Sequence, residues 1–158
     1  MQTVTIESVV SGWRPKDVYE RLKDSDVYLR SAPQQVKSVT NEPVDEPDQA
    51  ITHWEIYFRN GLLRWSERDF YDDANTTLSF QQTDGDFDFF EGDWVITQAD
   101  GDEVLLTFNA TFDFGVPSLE SIIDPVAIRV LRQAMSAIIT KIFGGTIRDP
   151  QPAGQLQA

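Results

Sequence analysis

The spacing of hydrophobic and polar residues changes twice along the chain and divides it into three zones. In the first zone, the alternating β-branched run from Gln2 to Val10 predicts a strand. Two short helices follow it, since Pro15 suits a first helical position and Ser25-Asp26 are typical cap residues. Pro33 ends the second helix because the residue before a proline disfavours the helical conformation.

From about residue 35 the period becomes two, which predicts a series of antiparallel hairpins. The separators are strong turn signals, among them Asn60-Gly61 and the Asp-Gly-Asp sequences at 84–86 and 100–102. The predicted strands of this zone lie at about 35–42, 50–59, 62–71, 76–83, 87–97 and 103–114.

The third zone is helical. From Leu119 to Ile142 the apolar residues recur at the spacing of an α-helix, and Gly144-Gly145 ends the run. Pro125 allows either one long helix or a short helix followed by a long one. Residues 148–158 are rich in Pro, Gln and Gly and have no period, so we predict a flexible tail after a single domain over residues 1–147.

This order of elements predicts an α+β fold in which a seven-stranded antiparallel sheet wraps around the long C-terminal helix. Only that helix is long and apolar enough to cover one face of the sheet. Because a helix touches a twisted sheet along one line, we expect an internal cavity between them.

Composition narrows the possible functions. The 158 residues carry a net charge of −13, which disfavours nucleic acid and anionic membranes as partners. There is no cysteine, and His53 is the only histidine, so we expect no metal site of the cysteine or two-histidine kind. The chain has no apolar run of about 18 residues and does not begin like a secretory signal, so we expect a soluble, cytoplasmic protein.

Three stretches carry a series of motifs: Trp65-Ser66-Glu67-Arg68-Asp69, Gly85-Asp86-Phe87 with Phe90-Glu91-Gly92-Asp93-Trp94, and Thr111-Phe112-Asp113-Phe114-Gly115-Val116-Pro117. Together they resemble the helix-grip domains of the START/Bet v 1-like (SRPBCC) superfamily. Within it they are most similar to the polyketide cyclase/aromatase family, whose members carry a Ser-x-Arg pair on the first of these strands. Phe112 stands where some aromatase/cyclases have a histidine, and Tyr28-Leu29-Arg30 replaces a common Trp-Pro pair.

The resemblance implies a cofactor-independent polyketide cyclase/aromatase of secondary metabolism, such as antibiotic biosynthesis. Such an enzyme folds a poly-ketone chain, promotes aldol closure and assists loss of water. Its substrate is hydrophobic or aromatic and is either free or carried by an acyl carrier protein, and we expect a monomer or homodimer. An acidic carrier would need a local basic patch, for which the candidates are Arg14, Lys16, Arg21, Lys23 and Arg30.

Two other functions remain open from the sequence. Other branches of the superfamily only bind, so the alternative is non-catalytic binding or transport of a quinone or lipid in the same cavity. A third possibility is an interaction domain with a filled core.

The resemblance assigns catalysis to Arg68 and Ser66. Arg68 would hold an enolate or alkoxide by charge-assisted hydrogen bonds, and Ser66 would orient a substrate carbonyl. Both roles require these side chains to face the cavity. His53 is a further candidate, as a general base.

The register of the hairpin around Asn60-Gly61 decides which face Arg68 occupies. A two-residue turn places His53 on the face of Arg68 and leaves the apolar residues on the other face. A one-residue bulge at Gly61 reverses this and places Trp54 beside Arg68. The resemblance favours the bulge, which we adopt as the prediction.

The predicted substrate-binding residues are aromatic, cationic or thioether side chains on elements expected to face the cavity. They are Arg64, Trp54, Phe80, Phe90, Trp94, Phe108, Phe112, Arg132 and Met135. The phenylalanines and Trp94 recur at period two on successive strands, so they form either one aromatic wall or ordinary core.

Overall fold

The computed structural model describes residues 1–114 and 117–148, and for residues 117–124 it describes the backbone only. In chain order the elements are β1 (Gln2–Ser11), α1 (Pro15–Lys23), α2 (Ser25–Ser31), β2 (Val36–Pro43), β3 (Gln49–Phe58), β4 (Gly61–Asp72), β5 (Thr77–Gly85), β6 (Phe89–Gln98), β7 (Glu103–Asp113), α3 (Pro117–Phe143) and β8 (Thr146–Arg148). The predicted strands and helices are confirmed, with small shifts at their ends.

The strands form one antiparallel sheet in the order β2-β3-β4-β5-β6-β7-β1-β8. Consecutive hairpins join β2 to β7, and β1 then pairs with β7 along the whole length of β1. The α+β helix-grip prediction is therefore confirmed, except that the described part of the chain has eight strands rather than seven.

The additional strand, β8, follows directly from the end of the long helix. Gly144 and Gly145 have φ of +72° and +81°, so the chain reverses through two left-handed residues that favour glycine. A Cβ on Gly145 would lie 2.5 Å from the carbonyl oxygen of Val9, so the close approach to β1 also requires glycine. Three residues are too short to show a period, which is why the sequence pattern misses this strand.

The predicted tail begins within this strand. Arg148 is the last residue of β8, and its Nε lies 2.8 Å from Oε1 of Glu7 on β1. Residues 149–158 lie outside the described residues, so the prediction of a flexible tail stays a prediction.

The two short helices lie between β1 and β2. Pro15 occupies the start of α1 as predicted. The cap of α2 is Asp24 rather than Ser25, because the Asp24 carboxylate accepts a hydrogen bond from the backbone N–H of Asp26 at 3.1 Å. Helix α2 contacts both β2 and α3, so it closes one end of the space between the sheet and the long helix.

Helix α3 runs through Pro125 as one helix, so the undivided alternative is the correct one. Its buried residues include Leu131, Met135, Ile138 and Ile139, which join the core formed by the inner face of the sheet. Burying one such side chain stabilises the fold by about 1.5–3 kcal/mol. Among the described residues, no helix has the length and apolar character needed to cross a bilayer.

Candidate functional site

The hairpin of β3 and β4 determines which side chains face the interior. Its two turn residues are Arg59 and Asn60, and Phe58 pairs with Gly61. Trp54 therefore lies directly opposite Trp65, and both point inward and are buried. Since alternate residues of a strand share a face, the inner face of β4 continues with two carboxyl residues.

These two residues are Glu67 and Asp69, of which only 5% and 3% is exposed. Side chains of this kind are rarely buried to this extent unless they are paired. Two almost fully buried carboxyl groups on one face of one strand are the most unusual polar feature of the described interior.

The predicted bulge at Gly61 is wrong. The turn lies one residue earlier than Asn60-Gly61, but it still contains two residues, so the face relation of a two-residue hairpin is kept. The irregularity of β4 lies instead on its other side, between Ser66 and Glu67 in the pairing with β5. Burial of the apolar residues decided the register, because the bulged alternative would expose Trp65 and its neighbours.

As a result, the residues to which the sequence assigned catalysis lie on the outer face of the sheet. Nη1 of Arg68 donates a hydrogen bond to Oε1 of Gln49 at 2.7 Å and lies 3.8 Å from Oε2 of Glu46. Oγ of Ser66 lies 2.6 Å from Nδ1 of His53. Both assigned roles require a side chain that faces the interior, and neither Arg68 nor Ser66 does so.

Two further predicted or candidate residues share this outer face. Nε of Arg64 lies 2.8 Å from Oε2 of Glu55, with most of the arginine exposed. Nε2 of His53 lies 2.9 Å from Oε1 of Glu42. The structure thus places His53 with Ser66, away from the aromatic interior.

Most of the predicted substrate-binding residues on the inner face do lie together. Trp54, Phe80, Phe90, Trp94, Phe108 and Met135 line one small cavity, together with Trp65, Glu67 and Leu131. Phe112 is fully buried but packs against Phe87 and Phe114, and Arg132 is half-buried on α3, so neither is among the residues lining this cavity. The rings are in direct contact: Trp54 and Trp65 stack with centroids 5.5 Å apart.

A second cavity adjoins the first. Helices α1 and α2 and strands β2 to β6 supply its lining, which includes Tyr28, Asn41, Thr52, Asp69 and Tyr71. Trp54, Glu67 and Trp94 belong to both linings, so the two cavities meet at these side chains. The volume open to the centre of a water molecule is about 20 Å³ here and about 10 Å³ in the aromatic cavity. Each is enough for about one water-sized molecule.

Hydrogen bonds hold the two buried carboxyl groups in place. Nε1 of Trp65 donates to Oε1 of Glu67 at 2.7 Å. Oγ1 of Thr52, on β3, donates to Oδ2 of Asp69. The hydroxyl of Tyr28 does not take part, since it donates to the carbonyl oxygen of Leu22 at 2.5 Å.

Burial changes the protonation of this pair. Loss of hydration raises the pKa of Glu67 well above its usual value, and the charge of Asp69 raises it further. Burial also raises the pKa of Asp69, although hydrogen bonds from Glu67 and Thr52 favour its ionised form. Both directions favour a proton retained by the pair, and they make Glu67 the more readily protonated of the two carboxyl groups.

Positive charge is scarce around the pair. Within the described residues, Lys23 is the only cationic side chain in the two linings. Its Nζ lies 3.6 Å from Oδ1 of Asp73 and 4.7 Å from the centre of the Tyr71 ring. The described residues also contain no cluster of three or more histidine, aspartate or glutamate side chains suited to a metal ion.

Comparison with known proteins agrees with this architecture. Residues 12–139 match the family model described as "Polyketide cyclase / dehydrase and lipid transport". The chain belongs to this family. No curated protein sequence matches it.

Solved structures show the same fold as this family member. TTHA0849 from Thermus thermophilus has a TM-score of 0.80 and 20% identity, covering 89% of this chain and 94% of its own. The Zhui aromatase/cyclase from Streptomyces sp. R1128 has a TM-score of 0.65 and 14% identity, covering 92% and 99%. A START superfamily protein from Mycobacterium smegmatis has a TM-score of 0.67 and 16% identity, covering 89% and 95%.

The sequence interpretation of this family member missed Glu67 and Asp69, although both lie inside its first motif. A usable signal was present, because Leu63, Trp65, Glu67 and Asp69 alternate along one strand and the first two are clearly apolar. Acidic residues are normally assigned to solvent, which concealed the pattern.

Proposed function

We propose that this protein is a cofactor-independent cyclase/dehydratase that acts on a hydrophobic carbonyl compound, with Glu67 and Asp69 as its acid and base. The observation that carries the proposal is the buried carboxyl pair at the junction of the two cavities. A carboxylic acid and a carboxylate held in contact inside an apolar interior supply both halves of a proton-transfer reaction.

The loss of water from a β-hydroxy ketone fits this pair. The Asp69 carboxylate removes the proton from the carbon between carbonyl and carbinol, and the C–C bond becomes a double bond. Glu67 gives its proton to the hydroxyl group, the C–O bond breaks, and water leaves. The proton on Asp69 then returns to Glu67 through the hydrogen bond between the two side chains, which restores the starting state.

The aromatic side chains of the sequence prediction are the proposed substrate wall. In this structure each of the two cavities has room for only about one water-sized molecule, so a larger ligand has to displace side chains as it binds. Met135 is suited to such movement, because its unbranched side chain has three rotatable bonds. The cavity lined by Asn41, Tyr71 and Lys23 is the proposed route from the surface to the pair.

The description of the family leaves a second candidate function, which is binding or transport of a hydrophobic molecule without reaction. The feature that favours it is the aromatic cavity, whose lining is apolar except for Glu67 and the indole N–H groups. An acyl carrier protein as partner, the oligomeric state and a cytoplasmic location stay predictions from the sequence.

The test is dehydration of 4-hydroxy-4-phenylbutan-2-one, whose conjugated product is followed by its ultraviolet absorption. We expect catalysis by the wild-type protein and a loss of about 10²–10⁴-fold in Glu67→Gln and in Asp69→Asn, since one proton-transfer group is typically worth this much. Arg68→Gln is the matched control on the outer face of the same strand and retains the rate.

Three results would contradict the proposal or favour its alternative. Full activity in Glu67→Gln removes the carboxyl pair from the mechanism. Loss of activity in Arg68→Gln alone returns catalysis to the outer face. Saturable binding of the ketone without any turnover assigns the protein to the carriers.

A further inference from the structure

We propose that the indole N–H of Trp54 binds the carbonyl oxygen of an uncharged ligand, and that the same site rejects carboxylates. The proposal deepens the proposed function and rests on it for the location of the ligand. It names the chemical class that the cavities accept and the residue that selects it.

Trp54 carries a buried donor without an acceptor. Only 6% of the residue is exposed, and its Nε1 has no hydrogen-bond partner among the described residues. Nε1 is close enough to Glu67 to favour the ionised form of that carboxyl group, but the two do not form an aligned hydrogen bond. Leaving such a donor unpaired costs about 1–3 kcal/mol, which a ligand acceptor can recover.

The position of this indole is fixed by its neighbours. Trp65 stacks on it with an interplanar angle of 9°, and Tyr28 meets it edge-on with centroids 4.8 Å apart. Trp65 differs from it in one respect, because its own Nε1 already donates to Glu67. Trp54 lines both cavities, so its indole ring forms part of the wall that a ligand would contact.

The charges around Trp54 exclude an anion. A carboxylate bound to its N–H would be buried beside the Glu67–Asp69 pair, which already carries negative charge. Lys23, the one cation among the described lining residues, is engaged with Asp73 and Glu20. A carbonyl oxygen accepts a hydrogen bond without adding charge or a donor that needs its own partner.

The experiment follows the tryptophan indole N–H resonances of ¹⁵N-labelled protein at neutral pH during three titrations. The probes are 2-acetylnaphthalene, its hydrocarbon analogue 2-ethylnaphthalene, and 2-naphthoate. The chain has four tryptophans, and Trp54→Phe identifies the resonance in question. We expect the ketone to shift that resonance saturably downfield and to bind about three- to tenfold more tightly than the hydrocarbon. We expect 2-naphthoate not to bind.

Trp54→Phe should abolish the preference for the ketone over the hydrocarbon, whereas Trp13→Phe, which removes an indole that packs on Phe143, should keep it. Equal affinity for ketone and hydrocarbon, a stationary Trp54 resonance, tight binding of 2-naphthoate, or no binding of any probe would overturn the inference. If Trp54→Phe does not fold, the relative affinities of the wild-type protein for the ketone, the hydrocarbon and 2-naphthoate still test the inference.

The outcome is separable from that of the proposed function. A ketone preference that depends on Trp54, in a protein whose turnover does not depend on Glu67, keeps this inference and refutes the acid–base mechanism. Turnover that depends on Glu67, in a protein without a preference for the ketone, supports the acid–base mechanism and refutes this inference.

Discussion

The two faces of β4 carry charged residues in nearly equal number, yet they place them in opposite surroundings. On the outer face, Arg64 and Arg68 lie in or near water and pair with Glu55, Gln49 and Glu46. On the inner face, Glu67 and Asp69 have lost their hydration and face one another. The difference shows that the surroundings of a charged side chain, rather than its presence in a motif, determine whether it can take part in proton transfer.

The physical reason is the local dielectric response. Two unit charges 4 Å apart interact by about 1 kcal/mol in water and by about 4 kcal/mol at the effective dielectric constant of a protein site. Ion pairs of the outer face are therefore worth little, whereas the inner carboxyl pair retains a proton and so avoids the full desolvation penalty of two buried charges. A proton held in this way is available for transfer.

The largest expected difference between the faces is in packing. Trp65→Ala removes an inner side chain that contacts Trp54, Phe87 and Phe90, and it also removes the donor to Glu67. We expect a loss of about 3–5 kcal/mol in the free energy of unfolding, measured by urea denaturation. Arg64→Ala, one residue away on the outer face, should have a much smaller effect. Similar losses for the two variants would mean that β4 does not have the register described.

The next difference is in the pH dependence of stability. Glu67 titrates near 4.5 in the unfolded chain and well above that value in the folded protein. Stability from this group is therefore complete below about pH 4.5 and is lost as the pH rises through the folded pKa, by about 1.4 kcal/mol per pH unit. A glutamine side chain does not titrate, so Glu67→Gln should gain stability over the wild type as the pH rises from about 5 to about 9.

Thermal unfolding across this pH range measures the effect, with the melting temperature of Glu67→Gln rising relative to the wild type. Glutamine keeps an oxygen that accepts from Trp65 and an N–H₂ group that can donate to Asp69, so it is a close structural match. A constant difference between the two proteins at every pH would show that the pKa of Glu67 is not raised.

The smallest effect is expected on the outer face. Arg68→Gln exchanges a partly exposed side chain whose ion pair with Glu46 spans 3.8 Å, so we expect a change within about 0.5 kcal/mol and no altered pH dependence. Urea denaturation at pH 5 and pH 9 measures it. A loss of unfolding free energy that depends strongly on pH would place a functional charge on the outer face and contradict the difference described between the two faces.

The sequence could predict the meander, because every separator from Asn60-Gly61 to Asp100-Gly101-Asp102 is a strong turn signal and the strands between them alternate clearly. It could predict the long helix for the same reason. It could not predict β8, whose three residues depend on the reversal at Gly144 and Gly145 and on the edge offered by β1.

The site was harder to predict because the faces of its residues depend on the register of a single hairpin, that of β3 and β4. Moving the turn from Asn60-Gly61 to Arg59-Asn60 leaves every face unchanged, whereas a single added residue exchanges the faces of Arg68 and Asp69. The motif around Ser66 and Arg68 favoured the added residue. The apolar alternation of Leu63 and Trp65 favoured the correct register, and it also places Glu67 inside.

The most direct test of this account is a pH titration of the side-chain carboxyl carbons by ¹³C NMR, in the wild type and in Glu67→Gln. We predict that the wild type has one carboxyl resonance that is absent from the variant and that still has the chemical shift of a protonated acid at pH 7. We also predict that the resonance of Asp69 changes between the two proteins. If every glutamate of the wild type is ionised at pH 7, Glu67 holds no proton there, and the carboxyl pair cannot act as the proposed acid and base.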